Sequence, residues 1–135
     1  MQSAPPITNS QNNKSESPKS NKHIVVEIVE YVPDCIVSKT VVNKNSGNVT
    51  ATSFDEGEKL CEKTIEHDIY VQIIDGKASI TIGSELHHLN LGDGIIIPAN
   101  ITHCFIADSQ FKMITTIIKD FKQEQAIIPT LLQNN

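Results

Sequence analysis

The sequence predicts an all-β domain, a small barrel or sandwich, and three observations carry that. About eight or nine short β-branched or apolar runs recur, with turn signals at roughly ten-residue spacing. The runs 69–74, 78–82 and 85–91 are separated by Asp75-Gly76 and Gly83-Ser84, pairs that tolerate positive φ, so two hairpins are expected back to back. Ala78, Ile80 and Ile82 alternate with Ser79 and Thr81, giving one dry face and one wet face.

Taken in order, residues 1–21 are rich in Gln, Asn, Ser, Lys and Pro and nearly free of apolar side chains. Such a stretch cannot bury enough surface to offset its ordering, so it reads as a disordered leader. A barrel domain over 22–120 follows, then a C-terminal tail over 121–135. Residues 23–32 are apolar and β-branched; an edge strand and a short helical lead-in both fit, and Pro33-Asp34 stops either. The runs 36–42 and 49–54 pair across a polar loop at 43–48. Asp55-Glu56-Gly57 turns the chain into a strand over 60–65, and Glu66-His67-Asp68 interrupts the apolar pattern before Ile69. Gly92-Asp93 makes a corner before Ile95, Ile96 and Ile97, and Pro98 ends that strand where its ladder no longer needs an N–H. The runs 105–107 and 112–118, with a turn at Asp108-Ser109, close the set. Helix is expected nowhere except one short turn in the tail, broken by Pro129.

Composition narrows the function. At 135 residues the chain is one domain. Its net charge of −5 comes without a basic stripe, which argues against a nucleic-acid partner, because phosphate contacts need clustered Lys and Arg. No apolar run approaches a membrane span, and the N-terminus lacks the apolar stretch of a signal peptide. Cys35, Cys61 and Cys104 are odd in number and far apart, so reduced, buried thiols and a cytoplasmic location are expected. Asn48-Val-Thr50 and Asn100-Ile-Thr102 match the glycosylation pattern, which a chain that is not exported would not use.

The spacing of Gly57, Asp75-Gly76, Gly92-Asp93, Pro98 and His103 resembles that of the single-domain, conserved-barrel cupins, over about 37–119. Their first motif runs from a Gly through His-any-His and a Glu to a second Gly; Gly57 and Gly76 fit its ends. Their second runs from a Gly through a Pro to a His; Gly92, Pro98 and His103 fit it, with Asn100 where Gly is usual. The resemblance implies a jelly-roll barrel, a homodimer and, in most members, a divalent metal held by the two His and the Glu of the first motif and the His of the second. Here those positions are Lys63, Ile65, Ile69 and His103. Isoleucine has no lone pair, protonated lysine has no acceptor, and one imidazole does not hold an ion alone. The expectation is therefore a barrel without the standard metal centre and without a cofactor.

An alternative centre for a divalent transition metal stays open. Unbroken strand alternation from Cys61 would turn Cys61, Lys63, Ile65, His67 and Ile69 all inward, and Cys61, His67 and His103 would then suit a soft ion. Against it, Glu66-His67-Asp68 looks like a bend that resets the parity. His87 and His88 are adjacent on one strand, face opposite sides and do not chelate one ion together.

Three functions follow. The leading one is a small-molecule-binding barrel, with Lys63, Ile65, His67, Ile69, Val71, Ile73, Ile80, His103, Phe105 and Met113 around a partly apolar ligand. Lys63 either holds an anionic group of that ligand or pairs with Glu62, Glu66 or Asp68. The second is an enzyme: a metal-dependent dioxygenase or isomerase, or a metal-free isomerase or cyclase using His103 and Lys63 as acid, base or nucleophile. The third is a homodimer formed through an outer face carrying Tyr70, Gln72 and Ile74.

Overall fold

A computed structural model of the chain describes residues 12–13, 16–62 and 64–119. Most of the leader, Lys63 and the whole of the tail lie outside the described residues. Among the described residues there are ten strands: β1 (Asn12–Asn13), β2 (Ile36–Lys44), β3 (Gly47–Phe54), β4 (Lys59–Glu62), β5 (Ile69–Gly76), β6 (Ala78–Ile82), β7 (Glu85–Leu89), β8 (Gly94–Ile97), β9 (His103–Ile106) and β10 (Phe111–Ile118). They form a six-stranded sheet in the order β1-β2-β3-β10-β5-β8 and a four-stranded sheet in the order β4-β9-β6-β7. Apart from the β1–β2 bridge, every pairing is antiparallel. Two such sheets face to face make the jelly-roll arrangement that the sequence suggests.

One expected hairpin is absent. β6 and β7 pair as predicted, but β5 pairs with β8 and β10, whereas β6 pairs with β7 and β9. Asp75-Gly76 is therefore a corner at which the chain leaves one sheet for the other. A turn-forming pair permits either outcome, and burial decides: Ile69, Val71 and Ile73 on β5 and Ala78 and Ile80 on β6 must all reach the space between the sheets. Gly76 sits at φ +69°, and a Cβ there would overlap the Gln110 carbonyl oxygen, so the corner requires glycine. The link from β9 to β10 at Asp108-Ser109 crosses between the sheets in the same way.

The main core lies between the sheets. Phe54 stacks on Phe111 with ring centroids 4.5 Å apart and meets Phe105 at 6.0 Å. Val71, Ile73, Ile80 and Ile97 fill the space around them. Each such side chain contributes about 1.5–3 kcal/mol on burial, an upper figure before ordering costs.

A second, smaller core covers the outer face of the six-stranded sheet. Residues 23–32 form the helical lead-in, with one 3₁₀ turn at Val25–Glu27. Val29 is fully buried there against Val37 and Ala51. Lys112 Nζ donates to the Val26 carbonyl at 2.7 Å and lies 4.8 Å from the Tyr31 ring centroid. Tyr31 in turn donates to Asp75 at 2.6 Å; burial and that carboxylate push its phenol well above the ordinary range. The described end of the leader docks nearby: Glu16 accepts from the Asn43 N–H, and the Ser17 N–H reaches the Val41 carbonyl.

Candidate functional site in the barrel mouth

The strand over 60–65 is shorter and one residue out of phase with the inward set weighed above. β4 spans Lys59–Glu62, and its register with β9 sets Leu60 opposite Phe105, Cys61 opposite Cys104 and Glu62 opposite His103. Phe105 and His103 are buried, so Leu60 and Glu62 share the inner face and Cys61 points outward. The inward ionisable side chain of this strand is Glu62. Sequence reading had considered it only as a partner for Lys63; the alternation Leu60-Cys61-Glu62 was the signal available.

Between the sheets lies a cavity of about 370 Å³. Its two walls differ in chemistry. On the six-stranded sheet, register brings Ser38 opposite Thr52, Thr40 opposite Thr50 and Asn43 opposite Asn48, all lining the cavity, and Thr115 of β10 stands opposite Thr50. Ser38 and Thr52 share a hydrogen bond of 3.0 Å. Facing this ladder from the four-stranded sheet are Leu60, Glu62 and Phe105, while Met113, Ile117 and Ile69 continue the six-stranded wall as an apolar flank and Ile65 lines the cavity just beyond β4; Glu62 is the one ionisable side chain among the described lining residues.

Of the residues expected to line a pocket, Ile65, Ile69, Phe105 and Met113 do so. Val71, Ile73 and Ile80 do not; they are packed solid in the core below. His67 lies in the bend after β4 and is not on the cavity wall. The lining expected from the sequence takes nothing from β2 and β3, whose inward positions carry Ser, Thr and Asn.

His103 is 1% exposed and sits behind Glu62. Its Nε2 lies 3.0 Å from Glu62 Oε1, and its Nδ1 lies 3.2 Å from the Ile101 carbonyl oxygen. Both ring nitrogens thus face acceptors, and only the imidazolium donates to both. The Glu62 hydrogen bond accordingly raises the His103 pKa above the usual histidine range. Burial opposes this, while the Ile101 carbonyl and the Glu62 charge reinforce it. Phe105 meets the imidazole edge-on at 5.5 Å.

The alternative metal centre is ruled out by strand parity: Cys61 lies on the outer face, disulfide-bonded to Cys104, with Cα atoms 4.0 Å apart. The expectation of three reduced, buried cysteines is corrected with it, since Cys61 is exposed and Cys35 alone is free. Among the described residues no three His, Cys, Asp or Glu side chains gather to hold an ion. Beside the cavity the inner face offers one imidazole and one carboxylate already bonded to each other, and that donor pair does not fit a cupin metal.

The adjacent histidines face opposite sides, as alternation requires. His87 stands opposite Ile80, with Nε2 3.5 Å from Glu85. His88 is on the outer face, its Nδ1 3.0 Å from Ser79 Oγ, which also donates to Asp108 at 3.1 Å. Serine bridges the imidazole and the carboxylate here. A hydrolytic triad needs the histidine in the middle, so this group is no nucleophilic relay.

Similarity to known proteins fits this geometry. No sequence-family profile and no curated protein matches the chain. Solved structures do. A conserved protein of unknown function from Streptococcus pyogenes superposes with a TM-score of 0.73 at 26% identity, over 83% of this chain and 98% of that one. A cupin superfamily protein from Desulfitobacterium hafniense gives 0.73 at 22% identity, over 78% and 97%. A Cupin 2 conserved barrel domain protein from Leptotrichia buccalis gives 0.66 at 31% identity, over 70% of this chain and 46% of that one. The fold is the cupin fold. The motif spacing read from the sequence points to the same fold.

Proposed function

We propose that the protein binds a small, hydroxyl-bearing organic molecule of neutral or cationic charge in the barrel mouth. The observation that carries this is the two-faced cavity. A ladder of Ser38, Thr40, Thr50, Thr52 and Thr115 supplies donors and acceptors that suit several hydroxyls at once. The opposite wall, with Leu60 and Phe105, and the apolar flank of Ile65, Ile69 and Met113 suit the C–H face of the same molecule. Glu62 at the rim disfavours a carboxylate or phosphate and favours a hydroxyl or an amine. The cavity volume falls near the low end of small-molecule sites, about 300–1,000 Å³.

Titration calorimetry against monosaccharides and polyols, amino sugars, aliphatic amines, carboxylates and phosphate esters tests this reading. Saturable heat with members of the first three groups and none with the anions is expected. Binding confined to the anions would refute it.

A second reading rests on the Glu62–His103 pair itself. A carboxylate on a cavity wall, hydrogen-bonded to a buried imidazole of raised pKa, is an arrangement that exchanges a proton with a bound molecule. In this reading Glu62 touches the substrate and His103 positions it, in place of the Lys63 and His103 pair expected from the sequence. Turnover lost in Glu62→Gln, with ligand binding kept, would select it.

No helix among the described residues is long and apolar enough to cross a membrane. Self-association through the outer face of β5 and β8 completes the proposal. Tyr70 and Ile96 stand opposite each other there, both exposed, and β8 ends its sheet among the described residues.

A further inference from the structure

We infer that Cys61 and Cys104 form a thiol–disulfide exchange site, reduced by a dithiol, whose state controls the Glu62–His103 pair. The argument starts from β4. Among the described residues it is a four-residue edge strand, paired along one side only, with β9. Its N-terminal end is held by Gly57 N–H to the Ala107 carbonyl and Ala107 N–H to the Glu58 carbonyl. Its C-terminal end carries Glu62, and the next described inward residue is Ile65 on the cavity wall. Across this end lies the disulfide, closing a loop of 43 residues in sequence separation. A short edge strand contributes little cooperative stability of its own, so a covalent bond to its neighbour decides whether its end stays paired.

Strand alternation turns that bond into a control. Cys61 and Cys104 are on the outer face, where Cys61 is exposed and reachable. Glu62 and His103, the next residues along the two strands, are on the inner face. A reagent in solvent thus acts on one side of the sheet and the cavity senses it on the other.

The exchange is balanced as follows. A thiolate of the dithiol attacks Cys61 Sγ, the protein S–S bond breaks, and Cys104 leaves as a thiolate and takes a proton. The second thiol of the reagent then attacks its own mixed disulfide, releasing Cys61 as a thiol. Two electrons and two protons pass to the protein, and the dithiol becomes a disulfide. Where thiols are kept reduced, an exchanging disulfide is the kind that occurs. None of this depends on what the cavity binds.

The test uses the full chain carrying Cys35→Ser, air-oxidised or reduced with dithiothreitol and then kept reduced. Thiol counting by alkylation and mass spectrometry should give none before reduction and two after. Amide exchange at Leu60 and Glu62, whose N–H groups face β9, should quicken by about tenfold or more on reduction, with the β6–β7 hairpin unchanged. The His103 imidazole, followed by NMR, should titrate at lower pH in the reduced form. The Cys61→Ser, Cys104→Ser variant should match the reduced protein, and re-oxidation should reverse the wild-type change. Two free thiols in the oxidised sample, equal exchange and titration in both states, or global unfolding on reduction would each overturn the inference.

Discussion

Glu62 and His103 stand directly opposite each other on β4 and β9, with Oε1 3.0 Å from Nε2. The carboxylate faces the cavity and the imidazole is sealed behind it. The barrel mouth therefore presents an acceptor whose geometry is fixed by a buried imidazole. The cupin framework survives around this pair, while the positions that hold metal in most members are occupied by Ile65, Ile69 and Lys63.

The pair makes stability depend on pH in a definite direction. The folded-state pKa of His103 is raised above its unfolded value of about 6.5. Its contribution is therefore fully present below that value and is lost as pH rises through the higher, folded-state pKa. Thermal melts from pH 6 to pH 9 should show Tm falling across that window. In Glu62→Gln the fall should shrink, and the variant should lose about 1–2 kcal/mol at pH 6, the scale of a hydrogen bond to a charged group.

The hydroxyl ladder can be removed without disturbing the fold. Thr50→Val together with Thr115→Val keeps side-chain shape and deletes two cavity-facing hydroxyls. Denaturant melts should shift by less than about 1 kcal/mol, because the side-chain hydrogen bond lost, Thr50 Oγ1 to Asn48 Oδ1, is long at 3.5 Å and its acceptor borders the cavity. Affinity for the hydroxylated ligand, read by calorimetry, should fall at least about tenfold, since each lost hydrogen bond removes on the order of 1 kcal/mol.

Phe111 anchors the core beneath the cavity. Phe111→Ala removes the ring stacked on Phe54 and should cost about 3–5 kcal/mol in urea unfolding. A loss near zero would mean that the two sheets do not pack as described.

The outer face of β8 carries the proposed contact between copies. Ile96→Glu should leave the melt unchanged within about 0.5 kcal/mol, the usual range for a surface site. Light scattering at micromolar concentration should shift the mass from dimer to monomer. A monomeric wild type would remove this part of the proposal.

Much of the fold was legible in the sequence. Alternation at Ala78, Ile80 and Ile82, the Gly83-Ser84 turn, and the spacing of Gly57, Gly76, Gly92, Pro98 and His103 specify strands and corners through local backbone chemistry. What local chemistry does not specify is which strand pairs with which. Asp75-Gly76 suits a hairpin and a sheet-to-sheet corner equally, and only the packing around Ile73 and Ile80 distinguishes them. The site was harder, because one residue of phase at β4 exchanges Cys61 for Glu62 on the inner face. That phase is set by pairing with β9, far away in sequence. Once β4 is placed, the disulfide, the carboxylate beside His103 and the loss of the Cys61-His67-His103 alternative all follow.

Native mass spectrometry of the purified, undialysed protein tests the binding reading most directly. The account predicts that an added or co-purified neutral organic molecule of a few hundred daltons or less, the size such a cavity admits, is retained by the wild type and lost from the Thr50→Val, Thr115→Val variant. A tightly held, stoichiometric transition-metal ion in its place, unaffected by those two substitutions, would contradict it.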